Sequence, residues 1–338
     1  MDLDIRRLSE YLEDAIAGFA GLRSATKFPG GQSNPTYRLV AQSGEYVLRR
    51  KPHGELLKSA HAVDREYRVL KALSGTDVPV GKVYHLCQDP AVIGADFYVM
   101  EFLRGDVFWH PTIPEIGDED RARIYDELNR TLAAIHSVDL KAAGLEDYGR
   151  PGNYFERQID RWSRQYYASE TETIEPMNAI IAWLQANCVE DDGSSSLVHG
   201  DYRLDNVMFA ADRSVLAVMD WELSTLGHAL ADLAYQCMQW RMPAGPDARG
   251  LGGVDREAIG IPGEADYVAA YCRRRNIGPI ENWEFYLAFS FFRLAAILQG
   301  VVKRAHDGNA SSKGALELRE LIRPLAEKAM QVVNDGAG

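Results

Sequence analysis

The chain has 338 residues, 46% of them hydrophobic and 25% charged, which is the balance of an ordinary globular protein with enough length for one large domain or two smaller ones. Acidic residues outnumber basic ones 49 to 37, a formal net charge of -12. That argues against a general nucleic-acid or anionic-membrane binder, since either would need a basic face. Cys87, Cys188, Cys237 and Cys272 lie far apart with no CxxC or CxxH spacing, which argues against a zinc site or disulfide framework and fits buried free thiols in a cytoplasmic protein.

The N-terminal segment is charged and amphipathic and has no apolar signal-peptide core. Leu8, Leu12 and Ile16 recur at i+4 and predict a first helix, with Gly21 as its stop. Residues 28–34 read as a turn-rich loop. Residues 36–40 alternate as a strand, and after the turn at 42–44 residues 46–49 continue as its hairpin partner. Residues 59–73 predict a helix capped by Ser59, with Val63, Tyr67 and Leu70 on its apolar face. Residues 78–86 and 97–102 read as further strands. Beyond about residue 105, helical periodicity dominates at 121–136, 154–167 and 176–187, and short strands interrupt at 197–198, 207–209 and 215–219 before helices return. Residues 243–263, rich in Gly and Pro, predict a surface excursion. The apolar stretch 283–302 carries Glu284 and Arg293 and reads as a buried or amphipathic helix, not a membrane span. A strand-rich first third and a helix-rich remainder predict two lobes, residues 1–103 and 104–338, joined by a hinge.

The chemistry concentrates in Leu197-Val198-His199-Gly200-Asp201-Tyr202-Arg203-Leu204-Asp205-Asn206-Val207-Met208-Phe209, followed by Val218-Met219-Asp220-Trp221-Glu222. Apolar strand residues flank a polar loop on both sides, so the loop emerges at a strand end. Asn206 stands five residues after Asp201, and Asp220 ends a later hydrophobic strand. Phosphoryl transfer needs such a set: one carboxylate to orient an acceptor hydroxyl and take its proton, and a carboxylate with an amide oxygen to hold magnesium, a hard cation.

The pattern HGDxxxxN followed by D-[WF]-E resembles the aminoglycoside phosphotransferase and choline kinase superfamily, relatives of the protein kinases. The resemblance implies an α+β, bilobal protein-kinase-like fold with a small antiparallel-sheet N-terminal lobe and a larger, mainly helical C-terminal lobe. It also implies an ATP- and Mg2+-dependent kinase acting on a hydroxyl of a small metabolite. Carried over by position, Asp201 becomes the catalytic base, Arg203 a contact to the moving phosphoryl group, and Asn206 and Asp220 the magnesium ligands. His199 anchors the loop and Asp232 is architectural, while His228 is a packing or surface residue. The turn Gly30-Gly31-Gln32-Ser33-Asn34 falls where the family folds a loop over the ATP phosphates, small residues letting backbone N–H groups approach closely. Arg49, on the face of Val47, takes the place of the phosphate-binding lysine, with Glu66 as its ion-pair partner and Arg50 and Lys51 as neighbouring alternatives. The arginine is a departure from the aminoglycoside kinases, although it is always charged and can bind phosphate through two N–H groups. Residues Glu101 and Phe102 fall at the hinge, where backbone groups bind adenine.

A finer resemblance, carried by residues 46–52, 157–162 and 293–300, is to the phosphotransferase domain found fused to, or encoded alongside, acyl-CoA dehydrogenases. It implies a hydroxyacyl-CoA or hydroxy acid as acceptor and an acyl-CoA dehydrogenase as pathway partner. Arg157, Arg161 and Arg164 recur at helical spacing, as either a basic stripe for an anionic tail or a solvated helix face. The alternative function is a catalytically silent kinase-fold protein that binds nucleotide or metabolite; a missing Asp201, Asn206 or Asp220 would favour it, and all three are present. A protein kinase fits less well, because no Ala-Pro-Glu segment follows Asp220.

Overall fold

The computed structural model of the chain describes residues 3–29, 34–52, 62–245, 249–308 and 314–336. In chain order, α1 (Ile5–Ala15) precedes β1 (Leu22–Lys27), β2 (Thr36–Ala41) and β3 (Gly44–Arg50), followed by α2 (Val63–Leu73), β4 (Val83–Cys87), the short α3 (Pro90–Ile93) and β5 (Phe97–Glu101). Helices α4 (Asp118–His136), α5 (Tyr154–Ser169) and α6 (Glu175–Ala186) then lead to the short strands β6 (Ser196–Val198), β7 (Val207–Phe209), β8 (Val215–Val218) and β9 (Thr225–Gly227). Four helices follow, α7 (Leu230–Cys237), α8 (Glu264–Arg275), α9 (Trp283–His306) and α10 (Arg319–Gly336). Two compact units result: Met1–Val107 with Lys141–Leu145 and Asp205–Ser224, and Phe108–Leu140 with Glu146–Leu204 and Thr225–Gly338.

The first unit is built on an antiparallel sheet of order β1-β2-β3-β5-β4. Successive strand residues point to opposite faces. Leu39 of β2, Leu48 of β3 and Val99 of β5 accordingly join Leu8 and Leu12 of α1 in one fully buried core. The other face meets α2, where Tyr67 packs against Tyr98 with ring centroids 6.2 Å apart. The β7–β8 hairpin belongs to this unit. Val218 donates its N–H to the Pro79 carbonyl at 2.9 Å, and Asp106 and Phe209 exchange backbone bonds of 2.8 Å.

The second unit is helical and centres on α9, which packs against α5, α7 and α10. By length and composition α9 could cross a membrane, but 78% of its most apolar window is buried inside this unit. Strands β6 and β9 form a two-stranded antiparallel ribbon with Leu197 opposite Leu226.

Several element boundaries differ from those read in the sequence. The first helix ends at Ala15, not Gly21; Gly18, with φ of 82°, makes the turn and Gly21 instead precedes β1. The strand expected at 78–86 starts only at Val83, because Pro79 has no N–H to give a ladder and its carbonyl is taken by β8. Helix α2 begins at Val63 among the described residues, and the expected Ser59 cap lies outside them. The segment 243–263 is not a solvated excursion throughout: Leu251 and Ile261 are buried and anchor it to the second unit.

Leu12→Ala removes buried side chain from the α1 core and should lower stability by about 2–5 kcal/mol. Arg6→Ala, which breaks only an exposed i,i+4 pair with Glu10, should change it by no more than about 0.5 kcal/mol. Urea denaturation followed by circular dichroism separates the two outcomes.

Candidate active site

In the first unit, the strand alternation that sends Leu48 into the α1 core turns Arg49 toward α2. There Glu66, only 2% exposed, places Oε2 at 2.8 Å from Arg49 Nε. The Nη2 end of the same guanidinium reaches Asp220 Oδ1 at 2.6 Å and Glu222 Oε2 at 3.3 Å. A planar guanidinium fork can bridge carboxylates in this way, where a lysine ammonium offers a single point charge. Burial opposes the charge on Arg49, but Glu66 first, and Asp220 and Glu222 after it, raise its pKa and keep it protonated. Burial pushes the Glu66 carboxyl up to about 7 in spite of Arg49, and the charges of Asp220 and Glu222 add to the rise. Of the neighbouring bases, Arg50 sits on the opposite face with its guanidinium 6.0 Å from the Tyr37 ring, and Lys51 is held by Asp96 at 2.6 Å.

Asn34 is buried and donates from Nδ2 to Glu222 Oε2 at 3.4 Å, so the residue closing the expected phosphate loop joins this polar group. Gly30, Gly31, Gln32 and Ser33 lie outside the described residues. Glu101 ends β5; its N–H donates to the Lys82 carbonyl at 2.8 Å and its Oε2 accepts from Lys82 N at 3.2 Å. Phe102 stacks on Phe28, with ring centroids 6.4 Å apart and planes 13° from parallel, and the guanidinium of Arg38 lies 5.0 Å from its ring.

Asn206 and Asp220 are brought to one end of the β7–β8 hairpin, where Val207 pairs with Val218 and Met219 N–H donates to the Asn206 carbonyl at 2.8 Å. Asp220 adopts a left-handed conformation, φ 62° and ψ 58°, which costs a residue with a Cβ about 1–2 kcal/mol and is borne best by Asp and Asn. The side-chain donors here are a carboxylate and an amide oxygen, which suit a hard cation that completes its shell with water and phosphate oxygens. Among the described residues, no three His, Cys, Asp or Glu side chains cluster so as to hold a metal by themselves.

In the second unit, the loop after β6 is anchored by its backbone. Asp232 of α7, fully buried, accepts the N–H of His199 at 2.6 Å and of Gly200 at 2.9 Å, with His136 Nε2 at 3.3 Å. Gly200 has φ of +85°, a conformation that side chains disfavour. His199 Nδ1 accepts the N–H of Asp201 at 3.2 Å, the loop-anchoring role expected for it. Asp201 and Arg203 form an ion pair, Oδ1 to Nε, of 3.2 Å. His228 stacks on Tyr286, rings 5.7 Å apart, and so packs as expected. The three arginines of α5 do not share a ligand-sized cradle. Arg157 donates to the carbonyls of Arg150 and Pro151, Arg161 lies over Trp162, and Arg164 pairs with Asp160 at 2.7 Å on the surface.

Arg293 of α9, buried, donates from Nη2 to the Gly200 carbonyl at 2.6 Å. Three residues of these networks have no role in the sequence reading. Glu222 stands in the quoted motif, two places after Asp220. Arg293 is a lone cation in the apolar stretch 283–302. His136 carries no sequence signal, since only tertiary packing brings it to Asp232.

The chain as a whole has relatives among known proteins. The profile of the phosphotransferase enzyme family, APH, matches residues 24–270. The chain belongs to this family. Acyl-CoA dehydrogenase family member 10 of Mus musculus is 45% identical over 327 residues, covering 95% of this chain and 30% of that protein. The chain spans between 30% and 43% of the length of the curated relatives it matches. A crystal structure from Ralstonia eutropha JMP134, carried under the provisional description of an aminoglycoside phosphotransferase, is 48% identical, with a TM-score of 0.91 over 99% of both chains. The aminoglycoside phosphotransferase APH(4)-Ia, solved with AMP-PNP and hygromycin B, is 14% identical with a TM-score of 0.62, covering 98% of this chain and 99% of its own, a likeness of fold. This member of the APH family therefore has the kinase-like fold expected of it, with the antiparallel sheet in its first unit and helices dominating its second.

The Asp232 network makes stability depend on pH. The hydrogen bond and charge of His136, with the Gly200 N–H, hold the Asp232 carboxyl below its usual 3.8 although burial pulls the other way. Burial likewise keeps His136 below its usual 6.5 despite Asp232. Below pH 6.5 the unfolded chain takes a proton that folded His136 resists, and near pH 3.8 it takes another that folded Asp232 resists. Stability should therefore be highest near neutrality and fall as the solution is acidified through both values. Asp232→Ala leaves two loop N–H groups unpaired and should cost about 2–5 kcal/mol at pH 7, with a shallower acid fall, in urea titrations across pH.

Proposed function

We propose that this phosphotransferase moves the terminal phosphoryl group of ATP, bound with magnesium, to a hydroxyl of a small metabolite. One observation carries the reading: a single guanidinium, Arg49, joins the buried glutamate of α2 to Asp220, which stands with Asn206 at one end of the β7–β8 hairpin. A cation for phosphate and hard oxygen donors for a metal are thereby gathered within one unit of the fold, as phosphoryl transfer requires.

In this reading Arg49, fixed by Glu66, holds the phosphates, and Asn34 closes the phosphate loop, whose Gly30, Gly31, Gln32 and Ser33 lie outside the described residues. Backbone groups at Glu101 and Phe102 receive the base. Asn206 and Asp220 hold magnesium, which when bound offsets the charge of the phosphate oxygens. Asp201 orients the acceptor hydroxyl and takes its proton, and Arg203 stabilises the group in transit. Most of the rate then comes from positioning and charge neutralisation. The acceptor class we favour is a hydroxyacyl-CoA or hydroxy acid, supported by the 45% identity to a protein named for acyl-CoA dehydrogenases, with such a dehydrogenase as partner in the same pathway.

The decisive measurement is ATP turnover with magnesium across hydroxyacyl-CoAs, hydroxy acids, amino alcohols and aminoglycosides. Turnover should be confined to one acceptor class, and Asp201→Asn should lower kcat by about 10²–10⁴-fold while nucleotide affinity stays near that of the parent. Asp220→Ala should abolish the magnesium-dependent part of nucleotide binding in calorimetry. Nucleotide-induced thermal stabilisation with no turnover of any acceptor would instead favour a silent binding protein.

A further inference from the structure

The loop that presents Asp201 is held by more than its Asp232 anchor. On α7, Tyr235 stands three residues after Asp232, one turn along the same face, with its ring against the guanidinium of Arg293. From the middle of α9, Arg293 Nη2 donates to the Gly200 carbonyl at 2.6 Å. That carbonyl belongs to the peptide group joining Gly200 to Asp201, and the N–H of the same group donates to His199 Nδ1. Both ends of one peptide plane are therefore fixed, at a glycine whose φ of +85° would otherwise allow the plane to turn. Fixing that plane fixes the direction in which the Asp201 side chain leaves the backbone.

Arg293 is a costly way to make one hydrogen bond. Only 7% exposed, it interrupts the apolar run of α9, and its charge is met by the faces of Tyr235 at 5.4 Å and Trp162 at 5.8 Å. An apolar side chain would fill that space without the desolvation of a cation. Tyr235, the ring under Arg293, stands on the same helix as Asp232, so both anchors of the loop backbone meet α7.

We propose that Arg293 is a positioning residue for the proposed base, locking the peptide plane that carries Asp201. This rests on Asp201 acting as the base. Arg293 touches neither acceptor nor nucleotide in this proposal, so its loss acts on kcat and leaves KM nearly unchanged.

The test uses the full chain, Mg·ATP and the best acceptor from the panel above, with Arg293→Gln and Arg293→Lys alone and each combined with Asp201→Asn. Arg293→Gln should lower kcat about a hundredfold, with both KM values within about twofold of the parent and partial recovery in Arg293→Lys. In the Asp201→Asn background neither substitution should lower kcat further, since residues acting through one group are not additive. Amide hydrogen exchange across residues 199–203 should quicken in Arg293→Gln. An unchanged kcat in folded variants, an effect confined to KM, or a full additional loss on top of Asp201→Asn overturns the proposal. If Arg293→Gln does not fold, Arg293→Lys carries the same comparisons. If the parent and Asp201→Asn turn over equally, the base assignment fails by itself; the positioning claim then stands or falls on whether loop exchange quickens.

Discussion

Arg49 places one positive charge among three carboxylates, and the polar face of the first unit depends on that arrangement. Glu66 meets Nε while Asp220 and Glu222 meet Nη2, so the side chain is fixed from a helix and from the loop after β8 together. Removing the cation would leave a fully buried Glu66 beside two like charges, a configuration far less stable than the intact group. Burial first, and after it the crowding of negative charge from Asp220 and Glu222, push the Glu66 carboxyl up to about 7 even with Arg49 in place. Such crowding favours cations, and a divalent ion accompanied by phosphate oxygens is a combination that both the carboxylates and the guanidinium can satisfy.

The second unit solves a different problem, holding a loop whose own side chains must stay available. It does so through backbone groups. Asp232 takes two N–H groups, His199 a third, and Arg293 takes the carbonyl between them. The ionisable groups that do this work are fully buried or nearly so, whereas Asp201 and Arg203 retain exposed surface. Burial thus sorts the charged residues of one short segment into those that support and those that face solvent.

Much of this was legible in the sequence because it is local. The spacing of Asp201, Asn206 and Asp220 between apolar strand residues placed a loop and a hairpin, and period-two alternation placed Arg49 on the face away from Leu48. The expected Glu66 partner lies 2.8 Å from Arg49 Nε. The remainder depends on distant segments meeting. Nothing in the local pattern at 78–86 shows that Pro79 will accept a bond from Val218, which shortens the strand and ties residues 205–224 to the sheet-bearing unit, where sequence alone suggested one break near residue 103. The bond from Arg293 to the Gly200 carbonyl is likewise invisible until α9 packs in the second unit.

Arg293 shows why composition can be informative even when contacts are not. A helix of 24 residues with an apolar window long enough for a membrane has only one arginine near its middle, and hydrophobicity alone gives no reason for it. In a purely structural helix the position would tolerate leucine or methionine and gain stability. A buried cation kept there implies that something polar must be held at that depth, and the carbonyl of Gly200 is what it holds. The length of α9 then has a second consequence. Packed along α5, α7 and α10, the helix is braced over many turns, so the guanidinium at its centre is placed by a rigid element and not by a loop. The same packing that buries the apolar surface of the second unit therefore sets the backbone of the Asp201 loop, and core stability and loop geometry become one constraint.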